Sequence, residues 1–135
     1  MAQLINKKFP IDLTARKAVG FGFPLNGGAV FVPTYQTKDQ IKANLINYIL
    51  TNKGERLFYP NFGADLRKYL FEGIVDKTLD NIKSQLQDEI STQFPLVVIN
   101  DINIDSNPDE HTINFLLSYS IKSFGIEEQI NILLQ

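Results

Sequence analysis

The sequence contains no cysteine and no tryptophan, and it has only one histidine in 135 residues. Without cysteine the chain cannot form disulfides, use a thiol nucleophile or bind a metal through thiolates. The single histidine, His111, follows two acidic residues in a segment that reads as a turn, which is typical of a solvated side chain rather than a catalytic base. We therefore predict no catalytic residues, no metal and no cofactor.

Concentrated charge and long apolar runs are also missing. The 13 basic and 15 acidic residues give a net charge of −2, and the densest basic spots are the pairs Lys7-Lys8 and Arg16-Lys17. Nucleic-acid binding requires a concentrated positive field, so we exclude it. No apolar run approaches the roughly 18 residues of a membrane span, and the N-terminus does not resemble a secretion signal. We expect a soluble protein made in the cytosol, with no membrane partner.

Length and hydrophobic content allow one domain with an ordinary core, since 44% of the residues are hydrophobic. Residues 1–36 differ from the rest, because they hold three prolines and four closely spaced glycines without helical periodicity. This composition predicts an extended arm, with a possible hairpin across Leu25–Ala29 and a short strand at Ala29–Val32. Residues 37–135 form the predicted domain.

Two helices are predicted in the first half of that domain. Thr37 with Gln40 matches a capping box, and apolar residues then recur at helical spacing until Gly54. A turn-rich stretch follows, after which Asp65 could cap a short helix ended by Gly73. This arrangement places a compact turn between two helices.

A third, longer helix is predicted from a cap at Asp76 to a stop at Pro95. Its apolar residues recur at spacings of three and four, which is typical of a helix with one buried face. These residues are Leu79, Ile82, Leu86, Ile90 and Phe94.

The last forty residues change to a period of two, which predicts strands. Two turns, at Ser106–Glu110 and Ser123–Gly125, separate three alternating segments. The apolar positions are Ile102 and Ile104, then Ile113, Phe115, Leu117, Tyr119 and Ile121, then Ile130, Ile132 and Leu134. The sequence therefore predicts an α+β fold, with two to three helices packed on a C-terminal antiparallel three-stranded meander.

Two apparent ligand motifs fail on their spacing. A calcium loop starting at Asp101 would need glycine at its sixth position and glutamate at its twelfth, where this chain has Ser106 and Thr112. A dinucleotide loop starting at Gly20 lacks its last glycine, and Pro24 removes a backbone N–H that a phosphate would need. Alternating isoleucines favour a strand at the first site, and an extended arm explains the second.

Three acidic residues of the turn-rich stretch leave a hydrolytic alternative open. Glycosidases use two carboxylates about 5 to 10 Å apart, and Glu55, Asp65 and Glu72 could supply them. Each also has a structural explanation: Glu55 bonding to nearby groups, Asp65 capping a helix, and Glu72 lying near a helix end. Carboxylates are too common for this pattern to be specific.

The same stretch carries a more specific signal. The runs Leu50–Arg56, Pro60–Leu66 and Leu70–Glu72 resemble, in order and spacing, the Thr-x-x-Gly-Glu-Arg, Pro-x-Phe-Gly and Leu-Phe-Glu elements of a known family. This is the baseplate wedge and sheath-initiator family of contractile phage tails, with relatives in type VI secretion and other contractile injection systems. The resemblance extends from about Gln40 to the C-terminus and is loose in the arm.

The resemblance implies a non-catalytic structural protein of the virion tail baseplate, assembled in the host cytoplasm. Its expected partners are other wedge proteins and the tail sheath protein, whose first ring its β-strand edges would template, with tail tube or hub proteins as further candidates. The alternative is a small tail-associated peptidoglycan hydrolase, because some relatives are labelled lysozyme-like.

One departure from the family limits this expectation. Many members carry Glu-Pro-Arg at the end of the long helix, where it contacts the core bundle of the wedge, whereas this chain has Phe94-Pro95-Leu96. The proline can still end the helix, but both charges are replaced by apolar groups. An apolar contact with a correspondingly changed partner is the alternative.

Roles for the signature residues follow as hypotheses. Gly54 would permit a left-handed helix end and Gly63 a tight turn. Arg56 would hold the turn through hydrogen bonds to Glu72 or to backbone carbonyls. Four apolar side chains would anchor the turn to the core, namely Leu57, Phe58, Phe62 and Phe71. The candidate structural and partner-contact residues are Gly54, Glu55, Arg56, Pro60, Phe62, Gly63, Leu70, Phe71, Glu72, Phe94, Pro95 and Leu96.

Overall fold

A computed structural model describes residues 13, 17–22, 33–72, 76–107, 109–122 and 125–135. In these residues two short strands come first, three α-helices follow, and the three strands of the main sheet come last. The elements are β1 (Gly20–Phe21), β2 (Pro33–Thr34), α1 (Thr37–Leu50), α2 (Tyr69–Glu72, preceded by a 3-10 turn at Leu66–Lys68), α3 (Asp76–Gln93), β3 (Val97–Asn107), β4 (Thr112–Ile121) and β5 (Glu127–Leu134).

Helix α1 begins where the sequence predicts, but without the predicted capping box. Gln36 occupies the N-cap position and makes no side-chain cap bond. The Gln40 side chain instead accepts a hydrogen bond from Thr34 Oγ1 at 2.8 Å and donates one to Asn44 Oδ1 at 2.8 Å. The capping box is wrong because strand β2 supplies a competing partner for the Gln40 amide.

The C-terminal end of α1 lies four residues before the predicted stop at Gly54. Thr51 leaves the helix in an extended conformation, with ψ of 132°. Its Oγ1 donates to the Asn47 carbonyl at 2.6 Å, and the same carbonyl accepts from the Thr51 backbone N–H at 3.1 Å. The helix therefore ends on a threonine, and Gly54 belongs to the loop that follows.

The short strands β1 and β2 pair antiparallel, with Gly20 opposite Thr34. A Cβ at Gly20 would collide with the Gln40 side chain, so glycine allows this ladder to lie close against α1. The predicted hairpin at Leu25–Ala29 and strand at Ala29–Val32 lie outside the described residues. The division of the chain at residue 36 stays a prediction.

Asp65 occupies the N-cap position of the 3-10 turn, but it adopts a left-handed conformation with φ of 55° and makes no side-chain cap bond. Its carboxylate lies 3.4 Å from Lys68 Nζ instead, so the predicted cap is wrong. Helix α3 matches its prediction, beginning at Asp76 and ending one residue before Phe94. The Asp76 side chain lies outside the described part, and its capping role stays a prediction.

Strands β3, β4 and β5 form an antiparallel sheet in that order, which confirms the predicted meander and the α+β class. The pairing between β4 and β5 is regular from Ile113 opposite Leu134 onward. The pairing between β3 and β4 shifts between Ile99 and Asp101, where Asn100 forms a bulge. Every second residue of β4 is buried, because one face of the sheet carries the helices.

The core lies between that face of the sheet and the apolar sides of α1 and α3. Full burial of each large apolar side chain contributes roughly 1.5–3 kcal/mol. The core includes Leu45, Tyr48, Ile49, Phe62, Leu66, Leu70, Ile82, Leu86, Ile90, Val97, Ile102, Ile104, Ile113, Phe115, Leu117, Tyr119, Ile121, Ile130 and Leu134.

Candidate partner-binding surface

The signature stretch between α1 and α2 folds into a closed loop. The N–H of Gly54 donates to the Pro60 carbonyl at 2.7 Å, which joins the two sides of the loop. Inside it, the N–H of Tyr59 donates to the Arg56 carbonyl at 3.3 Å and that of Phe62 to the Tyr59 carbonyl at 3.1 Å. Gly54 has φ of 91°, so its left-handed conformation is as predicted, although it serves the loop rather than the helix end.

A second set of backbone bonds fixes this loop to α1. The N–H of Ala64 donates to the Tyr48 carbonyl at 3.0 Å, and that of Asp65 to the Thr51 carbonyl at 3.3 Å. Immediately before these two residues, Gly63 has φ of 123°, and a Cβ there would collide with the Thr51 carbonyl oxygen. Gly63 is therefore required both for its conformation and for the close approach of two backbone segments.

Glu55 bonds back to the start of the same loop. Its carboxylate accepts hydrogen bonds from the Asn52 backbone N–H at 3.1 Å and from Asn52 Nδ2 at 3.0 Å. Both oxygens of Glu55 therefore have a local partner. The Glu55 carboxylate thus stabilises the turn through local hydrogen bonds and is not directed at a substrate.

Arg56 lies flat on an aromatic ring. Its guanidinium carbon is 3.7 Å from the centroid of Phe62, within cation–π range. Phe62 is buried, as predicted, and its ring meets Tyr48 edge-on with the centroids 5.1 Å apart. The predicted bond between Arg56 and Glu72 involves a side chain outside the described part, so it stays a prediction.

Tyr48 connects the loop to the end of α3. Besides Phe62, its ring contacts Phe94 edge-on with the centroids 5.8 Å apart. Gln93 Nε2 also donates to the hydroxyl of Tyr59, which ties the loop directly to the last turn of α3. The structure thus brings together the two segments that the sequence singled out separately, residues 50–72 and 94–96.

The hydroxyl of Tyr48 belongs to a polar cluster that the sequence did not indicate. It donates to Glu89 Oε2 at 2.7 Å, while Glu89 Oε1 accepts from Lys53 Nζ at 2.8 Å and from Gln85 Nε2 at 2.9 Å. Burial, with the Glu89 hydrogen bond, raises the pKa of Tyr48. Partial burial alone would raise the pKa of Glu89, but the bonds from Lys53, Gln85 and Tyr48 outweigh it and lower that pKa.

This cluster lines a shallow, open cleft of about 380 Å³. The lining residues are Tyr48, Lys53, Asn61, Asp88, Glu89, Thr92 and Gln93. No local sequence pattern could have indicated it, because Tyr48 and Glu89 are 41 positions apart and lie on different helices. Only the amphipathic pattern of α3 placed Glu89 on its polar side.

Two residues of the loop contradict their predicted role as anchors. Leu57 is 92% exposed and Phe58 is 99% exposed, whereas Phe62 reaches the core. The loop closes between Gly54 and Pro60 and turns the intervening side chains outward. Anchoring by Leu57 and Phe58 is therefore wrong, and that by Phe71 stays a prediction, because its side chain lies outside the described part.

The segment after α3 also presents an apolar side chain. Leu96 is 43% exposed and Pro95 is exposed, while Phe94 is half-buried against the core. Leu70, also a candidate, is buried in the core. Of the apolar candidates near this corner, those accessible to a partner are thus Leu96 and Pro95, joined by Leu57 and Phe58.

A family model described as "Baseplate wedge protein gp25" matches residues 35–124, two-thirds of the sequence. The chain belongs to this baseplate wedge family. It is 30% identical over 81 residues to the baseplate wedge protein gp25 of Enterobacteria phage T4, an alignment that covers 60% of this chain. The chain spans about 61% of the length of that curated relative.

Two solved structures share the fold of this wedge-family chain. A candidate tail lysozyme from Geobacter sulfurreducens superposes with a TM-score of 0.62 at 16% identity, covering 73% of this chain and 90% of that one. A chain of the anti-feeding prophage baseplate superposes with a TM-score of 0.52 at 17% identity, covering 84% of this chain and 81% of that one. At these identities the likeness concerns the fold alone.

The range matched to the wedge family contains both the loop and the end of α3, and it stops before β5. In the part of the chain that the structure describes, no three His, Asp or Glu side chains are grouped as metal ligands. His111 lies exposed in the turn between β3 and β4, with φ of 52°. No helix among the described residues is both long and apolar enough to cross a membrane.

Proposed function

We propose that this chain is a structural component of a contractile-tail baseplate that joins wedge proteins around the tail tube and starts sheath assembly through an exposed strand edge. The observation that carries the proposal is the braced corner between α1 and α3, which lies inside the range matched to the wedge family. Its polar side chains fasten the corner internally, and its surface also presents the exposed apolar side chains of Leu57, Phe58 and Leu96. That distribution suits docking to protein partners.

The same distribution argues against peptidoglycan hydrolysis. A glycosidase needs one carboxylic acid that is protonated near neutral pH beside a second, ionised carboxylate. Glu55 accepts two hydrogen bonds from Asn52, and Glu89 accepts three bonds that lower its pKa. The environment of Glu89 favours the ionised form, the opposite of what a general acid requires. Both oxygens of Glu55 are bonded to Asn52 rather than open to a substrate. The lysozyme name belongs to the Geobacter protein, whose likeness to this chain is one of fold.

The edge strand best suited to pairing is β5. Within the described residues β3 and β5 each pair on one side, with β4. The register of β3 is interrupted by the bulge at Asn100, a feature that protects an edge from further pairing. The ladder of β5 has no such interruption, so a strand from another protein could add along its full length. We assign the start of sheath assembly to this edge.

Charged side chains on β5 test that assignment. The double variant Gln129→Lys/Asn131→Lys adds two charges to exposed positions of the edge strand, a device that blocks strand addition. Ser118→Lys is the matched control, because Ser118 lies opposite Gln129 on β4, whose two edges are already paired. We expect the double variant to lower co-sedimentation with the sheath protein of the same gene cluster at least tenfold and the control to leave it near the wild-type level. Equal sedimentation of the double variant would refute the role of β5.

The hydrolytic alternative is tested separately. The purified chain, Glu55→Gln and Glu72→Gln are incubated with cell-wall substrate under identical conditions. We expect no release of muropeptides by any of them. Release by the wild type that both substitutions abolish would replace the structural function with hydrolysis.

A further inference from the structure

The strongest unexplained feature is the apolar tip of the loop, formed by Leu57 and Phe58. These two side chains are more exposed than any other large apolar residue in the described part of the chain. Single exposed apolar residues are common, but two adjacent side chains this fully solvated at the end of a closed loop are a recognisable interaction feature. We propose that this tip inserts into an apolar pocket on a different protein of the baseplate, an inference that rests on the function proposed above.

The tip is held in place before binding. The hydrogen bond from the Gly54 N–H to the Pro60 carbonyl closes the loop at 2.7 Å, and the bond from the Tyr59 N–H to the Arg56 carbonyl forms a tight turn around Leu57 and Phe58. On the far side, Gln93 holds the Tyr59 hydroxyl, so the loop is fastened to α3 as well as to α1. A loop ordered in this way loses little conformational entropy when it docks, which favours its use as an anchor.

Among the described residues, the cleft between α1 and α3 is poorly suited to receive the tip. The cleft between α1 and α3 is lined by charged and amide side chains, including Lys53, Asp88 and Glu89. Placing Leu57 or Phe58 there would remove water from those groups without offering them hydrogen-bond partners. The described part of a second copy of this chain is therefore a poor binding partner for the tip, and a different protein with an apolar pocket is a suitable one.

The size of the tip leads to the same conclusion. Two side chains of this kind bury roughly 300–400 Å² between them, whereas a stable interface needs about 800 Å² on each partner. The tip is too small to hold a dimer by itself. It fits an anchor within a larger contact, as in a multi-protein assembly where neighbouring surfaces contribute the remaining area.

Photo-crosslinking identifies the protein that binds the tip. The full chain carrying Phe58→p-benzoylphenylalanine is co-expressed with the other baseplate proteins of its gene cluster, and the purified assembly is irradiated. The control carries the same group at Glu110, an exposed turn residue at the β3–β4 turn. We expect position 58 to crosslink to a different baseplate protein, at a peptide whose side chains are mainly apolar, and Glu110 not to give that product. A crosslink from position 58 to a second copy of this chain, or to a mainly charged peptide, would overturn the proposal.

Affinity measurements supply the second test. The double variant Leu57→Ser/Phe58→Ser should fold with an unchanged melting temperature, because the side chains it removes are solvated in the free protein. We expect its affinity for the crosslinked partner to fall at least tenfold, while the control variant Tyr35→Ser, which removes an exposed aromatic side chain between β2 and α1, leaves that affinity unchanged. Unchanged affinity of the double variant would refute binding through the tip but would leave the proposed baseplate function intact. If the wild-type chain joins no baseplate protein at all, both proposals fail.

Discussion

Removal of one hydroxyl group tests whether Tyr48 braces the corner. In Tyr48→Phe the ring remains, so its edge-on contacts with Phe62 and Phe94 are retained. The substitution removes only the hydrogen bond to Glu89, which is 2.7 Å long and spans α1 and α3. Any loss of stability can therefore be assigned to that bond rather than to packing.

The expected magnitude follows from the surroundings of Glu89. A hydrogen bond to a charged group contributes about 1.5–3 kcal/mol to the free energy of unfolding. Glu89 keeps its bonds from Lys53 and Gln85, and its side chain is 28% exposed, so water can replace the lost donor. We therefore expect the lower end of the range, about 1.5 kcal/mol. For a chain of this length the melting temperature should fall by roughly 5–6 °C.

Urea unfolding followed by circular dichroism measures the effect, with an expected midpoint shift of about 0.5–1.5 M. Tyr35→Phe is the matched control, because it removes the same group from a side chain that is 52% exposed and should change stability by less than about 0.5 kcal/mol. A double-mutant cycle with Glu89→Ala should give a coupling of about 1 kcal/mol between the two side chains. A midpoint for Tyr48→Phe equal to that of the wild type, with no coupling in the cycle, would refute the bracing role.

Three further predictions concern the same corner. Gly63→Ala should lower the free energy of unfolding by more than about 2 kcal/mol, because the new Cβ collides with the Thr51 carbonyl and the residue has a positive φ. Gly54→Ala also has a positive φ but places its Cβ in open space, so it should cost only about 1 kcal/mol. Urea unfolding measures both, and equal costs would contradict this reasoning. Because folding lowers the pKa of Glu89, the stabilisation that its carboxylate gives the folded protein is present above its usual pKa of 4.5 and is lost as the pH falls through the folded pKa. The difference in free energy of unfolding between wild type and Glu89→Gln should therefore shrink from pH 7 to about pH 3. A difference that does not change with pH would exclude this linkage. Arg56→Ala should lower stability by about 0.5–1 kcal/mol and impair wedge co-purification, and unchanged melting and co-purification would count against it.

The elements that the sequence predicts well are those in which periodicity decides the structure. The alternation in β4 and the stripe on α3 each repeat over many residues, so local exceptions average out and the buried face is unambiguous. The N-cap of α1 depends on a single side chain. Gln40 matched the pattern of a capping box, but Thr34, six residues away, competes for the same amide, and no local rule accounts for that partner.

The candidate site was predicted in position and only partly in orientation. Hydrophobicity placed Leu57, Phe58 and Phe62 together in the core, because the scale assigns all three to the interior. The consecutive residues Leu57, Phe58 and Tyr59 have no period, however, and so give no information about which of them faces inward. The closure from Gly54 to Pro60 decides the orientation, and a backbone bond between those positions is not encoded by side-chain type.

The departure at the end of α3 can now be divided into two different changes. The position of the family glutamate is Phe94, which is half-buried against Tyr48 and the core, so an apolar side chain there serves the fold of this chain. The position of the family arginine is Leu96, which is exposed and precedes the first residue of β3. A buried carboxylate beside Tyr48 would stand close to Glu89, and repulsion between the two charges disfavours it. An apolar side chain at position 94 therefore suits the internal packing around Tyr48, and Leu96 is the more accessible of the two side chains.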